Sequence, residues 1–88
     1  MEYLLFTYPN CQKCEDLKAY LKGAAISAEV LDVAEKDGRM RIRAFLPSVK
    51  RDEKGSIILP TLIGHENGRV AAVVNNSEEF SAWLRSRG

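Results

Sequence analysis

Cys11 and Cys14 are the two cysteines of the chain, and they stand two residues apart in Cys11-Gln12-Lys13-Cys14. Two thiols at this spacing on one helical turn can close a disulfide without large backbone movement. A ring this small restrains an unfolded chain little, so stapling is a poor use for it. The chemistry that suits the pair is exchange: one thiolate attacks a disulfide, and the second thiol resolves the mixed disulfide that forms.

The two positions are not equivalent. Cys11 falls at the start of a helical pattern, where unpaired N–H groups and the positive end of the helix dipole favour a thiolate. Cys14 falls one turn further in and is expected to face the core. A free cysteine is only about 3% ionised at pH 7. A helix terminus contributes about 0.3–2 kcal/mol; Lys13 adds to it, whereas Glu15 and Asp16 oppose it. A fall of about one to two pKa units leaves roughly a quarter to three-quarters of Cys11 ionised. Cys11 is thus the expected nucleophile and Cys14 the resolving thiol.

A cysteine pair has two other uses. Zinc needs four ligands, and beyond the pair the chain offers only His65 as a further strong nitrogen or sulfur ligand. His65 is expected to decorate a hairpin end, so no metal site is expected. Inert burial conflicts with the polar Gln12-Lys13 insert.

The elements that must hold the pair follow from periodicity. Tyr3-Leu4-Leu5-Phe6 is an apolar run suited to a strand buried on both faces. Asn10 is a candidate N-cap. From Cys11 the apolar positions Cys14, Leu17, Tyr20, Leu21 and Ala24 follow helical spacing, with Lys22 in the last turn and Gly23 as a stop. Glu29 to Val33 reads as a second strand. Ala34 to Phe45 reads as a helix with Met40, Ala44 and Phe45 inward; Gly38 weakens it, and Pro47 ends it by disfavouring helical geometry at Leu46. Ser48 to Ser56 is a polar loop.

Ile57-Ile58-Leu59 and Thr61-Leu62-Ile63 flank Pro60 in an expected third strand. Glu66-Asn67-Gly68 is a hairpin turn, because Asn-Gly tolerates the positive φ such turns demand. Val70 to Val74 returns. Asn76 or Ser77 caps a last helix whose apolar face is Phe80, Trp83 and Leu84; Glu79 completes a capping box if Asn76 is the cap. The order is β-α-β-α-β-β-α. The first crossover must be parallel and right-handed, and the last two strands form an antiparallel hairpin. The expectation is an α/β fold, a four-stranded mixed sheet flanked by three helices, as one domain over residues 1–88.

Composition narrows the partners. The formal net charge of +1 points to no strong electrostatic partner. Arg39, Arg41, Arg43, Lys50, Arg51 and Lys54 read as a solvated face rather than a nucleic-acid site, because Asp37, Asp52 and Glu53 interrupt them. No apolar stretch is long enough for a membrane span. Met1-Glu2-Tyr3 lacks the basic start of a signal peptide, so a reducing cytoplasm is expected.

Three segments together resemble the thioredoxin/glutaredoxin superfamily over nearly the whole chain. They are Tyr8-Pro9-Asn10-Cys11-Gln12-Lys13-Cys14, Leu59-Pro60-Thr61 and Asn67-Gly68-Arg69-Val70 before a terminal helix. In length the chain is similar to a small glutaredoxin, whereas Leu59-Pro60-Thr61-Leu62 followed by Asn67-Gly68 is more similar to thioredoxin. The resemblance implies a thioredoxin-like fold and a cis bond before Pro60, facing the dithiol. Proline lowers the cost of such a bond and removes a ladder donor, which otherwise marks an edge strand. The backbone of Leu59 would then pair with an extended peptide or with glutathione.

Substrate-binding positions carried over are Tyr8, Lys13, Leu59, Pro60, Asn76 and Ser77. Tyr8 stands where glutaredoxins commonly have a lysine, Asn75-Asn76 where they have Gly-Gly, and Asn10 where thioredoxin has a tryptophan. Lys36 and Arg39 are within reach of a glutathione carboxylate but are not assigned to the site. The implied activity is thiol–disulfide exchange on protein or glutathione mixed disulfides, without a tightly bound cofactor. Glutathione or a thioredoxin-reductase-type donor would supply the electrons. The alternatives are a glutathione-assisted iron–sulfur dimer held through Cys11, which Cys14 argues against, and a redox-inactive adaptor, which the intact pair argues against.

Overall fold

The Tyr3–Phe6 run lies in the central region of a sheet, as its two-sided apolar character demands. The computed structural model of the chain describes residues 1–87; Gly88, part of the expected domain, lies outside the described residues. Strand β1 (Glu2–Thr7) pairs in parallel with β2 (Glu29–Asp32) and antiparallel with β3 (Thr61–Glu66). Strand β4 (Arg69–Val74) pairs antiparallel with β3, giving the order β2-β1-β3-β4. Helices α1 (Gln12–Gly23), α2 (Lys36–Ile42) and α3 (Ser77–Arg87) complete the expected β-α-β-α-β-β-α plan.

Alternation along β1 divides the core in two. Leu4 and Phe6 point with Leu31 and Ile63 to one face, where Ile42 and Val49 cover them. Leu5 points with Leu62 and Val74 to the other, against Leu17, Leu21 and Phe80 of α1 and α3. Leu5, Phe6, Ile63 and Phe80 are wholly buried, and each such side chain contributes about 1.5–3 kcal/mol. On the α1/α3 face Tyr3 meets Phe80 edge-on at 5.6 Å between ring centroids, and Trp83 stacks on Phe80 at 5.9 Å.

Several boundaries differ from the sequence expectation. Asn10 is not the cap of α1: it takes φ 56°, and Cys11 caps instead. Gly23 is the last helical residue rather than the stop, and Ala25 carries the left-handed turn at φ 56°. The second helix begins at Lys36 and passes at Arg43–Phe45 into a 3₁₀ turn. Its buried members are Gly38 and Ile42; Met40 and Ala44 are exposed, and Phe45 is half-buried. Gly38 lies inside this helix where no side chain fits. A Cβ there would collide with the Asp32 carbonyl, so glycine is what lets α2 seat on the end of β2.

Leu46 keeps right-handed helical angles despite Pro47. The N–H groups of Ser48 and Val49 both reach the Phe45 carbonyl, so no bond there requires a donor from Pro47. The third strand starts only at Thr61. Ile57 makes an isolated bridge to Arg51, and Ile58 and Leu59 lie outside the sheet. The Asn67-Gly68 turn has φ values of 52° and 77°, as its sequence predicts.

Register then gathers one end of the sheet. Thr61 pairs with Phe6, Leu62 with Val74, and Thr7 with Asp32. The segments at that end are Tyr8–Cys11 after β1, Val33–Glu35 after β2, Leu59–Pro60 before β3 and Asn75–Asn76 after β4. His65 pairs with Glu2 at the opposite end.

Candidate functional site

Cys11 and Cys14 are joined as a disulfide, with 5.2 Å between their Cα atoms. Cys11 is the residue before the first turn of α1, in extended geometry, and its Sγ accepts the Cys14 N–H at 3.1 Å. Sulfur thus fills the place a serine or aspartate oxygen would take at a helix N-cap. Cys11 is half-buried, whereas Cys14 is 1% exposed. Cys11 is thus the solvent-accessible member of the pair and Cys14 the enclosed one.

The acidic residues of the first turn are engaged locally. Glu15 pairs with Lys18 at 2.8 Å, and Asp16 accepts from Gln12 at 2.9 Å. Lys18 offsets the charge of Glu15, whereas the neutral Gln12 amide leaves that of Asp16 in place.

The peptide bond between Leu59 and Pro60 is cis. Pro60 is buried and Leu59 half-buried. Among the described residues no turn or loop hydrogen bond engages the Leu59 N–H or C=O. Its two neighbours are held from a distance in sequence: the Asn75 side-chain amide donates to the Ile58 carbonyl at 3.1 Å and to the Pro60 carbonyl at 3.0 Å. One amide therefore grips the chain on both sides of Leu59.

Asn75 is itself anchored to α3. Its backbone N–H reaches the Glu79 carboxylate at 2.6 Å, and the Asn76 side chain accepts the Glu79 N–H at 2.8 Å. Asn76 is therefore the cap of α3, while Glu79 reaches back one residue beyond the cap's own N–H. Lys50 closes on the same carboxylate at 3.2 Å. The Asn75 N–H, and then Lys50, hold the Glu79 carboxyl below its ordinary range, against partial burial that pushes it up.

A cavity of about 320 Å³ lies between α1, the Ile58–Leu59 segment and the start of α3. Its walls bring together Lys13, Leu59, Asn76 and Ser77, four of the six expected substrate positions. Tyr8 and Pro60 are not among its walls; Tyr8 stands out in solvent, 57% exposed. Asp16 and Asn75 also line it, and sequence reasoning assigned neither to the site. Asp16 lies one helical turn from Lys13, a signal that was available. The bonds of Asn75 span 15 and 17 residues, which no local pattern discloses. His65 is remote: its Nε2 lies 3.5 Å from Glu2 and its ring packs near Phe45.

No protein-family model matches the chain, and no curated protein does. Solved structures do. The thioredoxin-like protein BC3987 superposes with a TM-score of 0.59 at 25% identity, over 97% of each chain. A mutant of the same protein gives 0.63 at 23% identity, over 94% of this chain and 99% of that one. The fold is thioredoxin-like. A malarial protein shares this thioredoxin-like fold with a TM-score of 0.59 at 22% identity, over 98% of this chain and 97% of the other. On the thioredoxin-like frame of this chain the Cys-x-x-Cys pair is a redox-type centre at a helix N-terminus. Among the described residues no helix is long and apolar enough to cross a membrane.

Proposed function

We propose that this protein is a glutaredoxin-like thiol–disulfide oxidoreductase that reduces protein disulfides or glutathione mixed disulfides in the cytoplasm. The observation that supports this reading best is the closed Cys11–Cys14 disulfide with Cys11 capping α1. In the reduced protein the Cys11 thiolate attacks one sulfur of a substrate disulfide, and the other sulfur leaves as a thiolate that takes up a proton. The Cys14 thiol then loses its proton and attacks Cys11 in the mixed disulfide. The second substrate thiol is released, and the Cys11–Cys14 bond forms. The substrate gains two electrons, both from the protein's dithiol, and two protons, one from the Cys14 thiol and one from solvent. An external thiol, glutathione or a reductase, restores the dithiol.

Substrate is read as lying along the Leu59 backbone, whose free N–H and C=O suit pairing with an extended chain. Lys13, Asn76 and Ser77 would border it. Tyr8 and Pro60 would flank the approach to Cys11.

The test compares reduction of insulin with reduction of a glutathione mixed disulfide, supplying glutathione or a thioredoxin reductase in turn. Cys11→Ser is expected to abolish exchange on both. Cys14→Ser is expected to accumulate mixed disulfides with protein substrates while keeping activity on small glutathione disulfides, where external thiol resolves the intermediate. Activity retained by Cys11→Ser would overturn the assignment.

A further inference from the structure

The arginines of the middle segment do not form one undivided basic face. Arg41 is bound to Glu29 through two contacts at 3.0 and 3.2 Å. Arg39, Arg43 and Arg51 instead line a single cavity of about 510 Å³ between α2 and the 51–59 loop. Ile42, Ile57 and Leu59 supply apolar wall, and no acidic side chain lines it. Two of the three guanidinium groups are steadied by backbone: Arg39 donates to the Ala34 carbonyl at 2.6 Å and Arg51 to the Gly55 carbonyl at 2.8 Å. Each of those bonds uses one nitrogen of a five-donor fork, which leaves further donors for an anion. The nearby Asp52 carboxylate is turned inward on its own loop, accepting the N–H groups of Lys54 and Ser56.

Leu59, the residue before the cis-proline, lines both this cavity and the one between α1 and α3. A chain lying across Leu59 toward Cys11 would bring residues on its far side over the arginines. We propose that this cavity receives an acidic segment of the disulfide-bearing protein substrate, so that the enzyme selects partners with carboxylates near the reacting cysteine. The proposal rests on the exchange function given above. Alternating carboxylate and aliphatic groups match three cations set over an apolar wall.

The test uses the reduced 88-residue chain in single turnover, so that its own dithiol provides both electrons. The substrates are peptides with one cysteine blocked as a mixed disulfide with 2-mercaptoethanol. They carry three Glu, three Gln or three Lys placed two to eight residues to either side. At low salt the Glu peptide is expected to react about three- to tenfold faster than the Gln peptide, and the Lys peptide slower still. The preference should fade at 0.5 M salt. Arg43→Glu should bring the Glu peptide down to the Gln peptide or below it. Arg69→Glu, the same charge change at the far hairpin, should leave the preference intact.

Equal rates for all three peptides would overturn the proposal and leave the exchange function standing, as would equal losses from Arg43→Glu and Arg69→Glu. A parallel titration with the Glu peptide carrying serine for cysteine separates the two readings. Binding that depends on Arg43, with no exchange on any peptide, would uphold the docking site and overturn the function. Neither binding nor exchange would overturn both. A single-stranded oligonucleotide that binds more tightly than the Glu peptide would overturn the assigned occupant.

Discussion

The backbone N–H of Cys14 points at the sulfur of Cys11, 3.1 Å away, while the two sulfurs are bonded to each other. One residue thus serves the outer sulfur twice, as a hydrogen-bond donor from its main chain and as a disulfide partner from its side chain. In the reduced protein the same donor is expected to face the freed Cys11 sulfur.

The first prediction follows from that donor and from the helix start behind it. Cys11 is expected to titrate below a free thiol, and Cys14, buried one turn inward, is not. Alkylation followed against pH, with the other cysteine replaced by serine, reads each midpoint. The midpoint is the quantity to compare, because a more acidic thiol is also intrinsically less nucleophilic and part of the rate gain cancels. A lower midpoint for Cys14 would reverse the assignment of nucleophile and resolving thiol.

Asn75 gives the second. Its amide satisfies the carbonyls on either side of Leu59, so Asn75→Ala should cost about 1–3 kcal/mol in urea melts. Asn75→Asp should be worse than alanine at neutral pH, since it sets a carboxylate against two carbonyl oxygens, and should recover on acidification. Both should lower kcat/KM on disulfide substrates while leaving the Cys11 alkylation midpoint near its original place. An aspartate variant as stable as the parent at pH 7 would refute the role of the amide.

Glu79 sets a pH dependence. Its folded-state carboxyl lies below its ordinary value, chiefly because the Asn75 N–H donates to it and then because Lys50 pairs with it. A depressed carboxyl stabilises the fold fully above the unfolded value of about 4.3 and loses that contribution as pH falls through the folded one. The stability gap between the parent and Glu79→Gln should therefore be level from neutral pH down to about 5, then close on further acidification. A gap that widens in acid would contradict the sign.

Gly38 provides a test in which two effects oppose each other. Alanine is favoured over glycine inside a helix by about 1 kcal/mol. Against that, a Cβ at this position meets the Asp32 backbone, which cannot swing aside as a flexible side chain would. Gly38→Ala is expected to destabilise by about 1–3 kcal/mol, the range for overpacking. A stabilised variant would mean that α2 shifts freely on the sheet.

How much of this was legible depended on the reach of each interaction. The central strand, the Asn67-Gly68 turn and Asn76 as one of two candidate caps announce themselves within four residues and stand as expected, although Glu79 reaches back to the Asn75 N–H rather than to that of Asn76. Gly38 was misjudged because its reason is a carbonyl on another element. Met40 and Ala44 were placed inward by apolar type, but only Gly38 and Ile42 of α2 face the core. Ile57–Leu59 looked like strand because they are apolar; they line cavities instead. Within the site, the cysteine pair could be read from its spacing, and the cis Leu59-Pro60 step from the resemblance. Asn75 could not, since its partners lie more than a dozen residues away.

The antiparallel pairing of β3 with β4 has a practical outcome for whoever builds with this chain. Six residues of β3, about 20 Å of extended strand, separate Thr61 beside the dithiol end from Glu66 at the hairpin. The Asn67-Gly68 tip is exposed and its glycine has open space around it. A circularly permuted fluorescent domain spliced at that tip would sit at the pole opposite Cys11. It would stand clear of the path of a substrate approaching the dithiol.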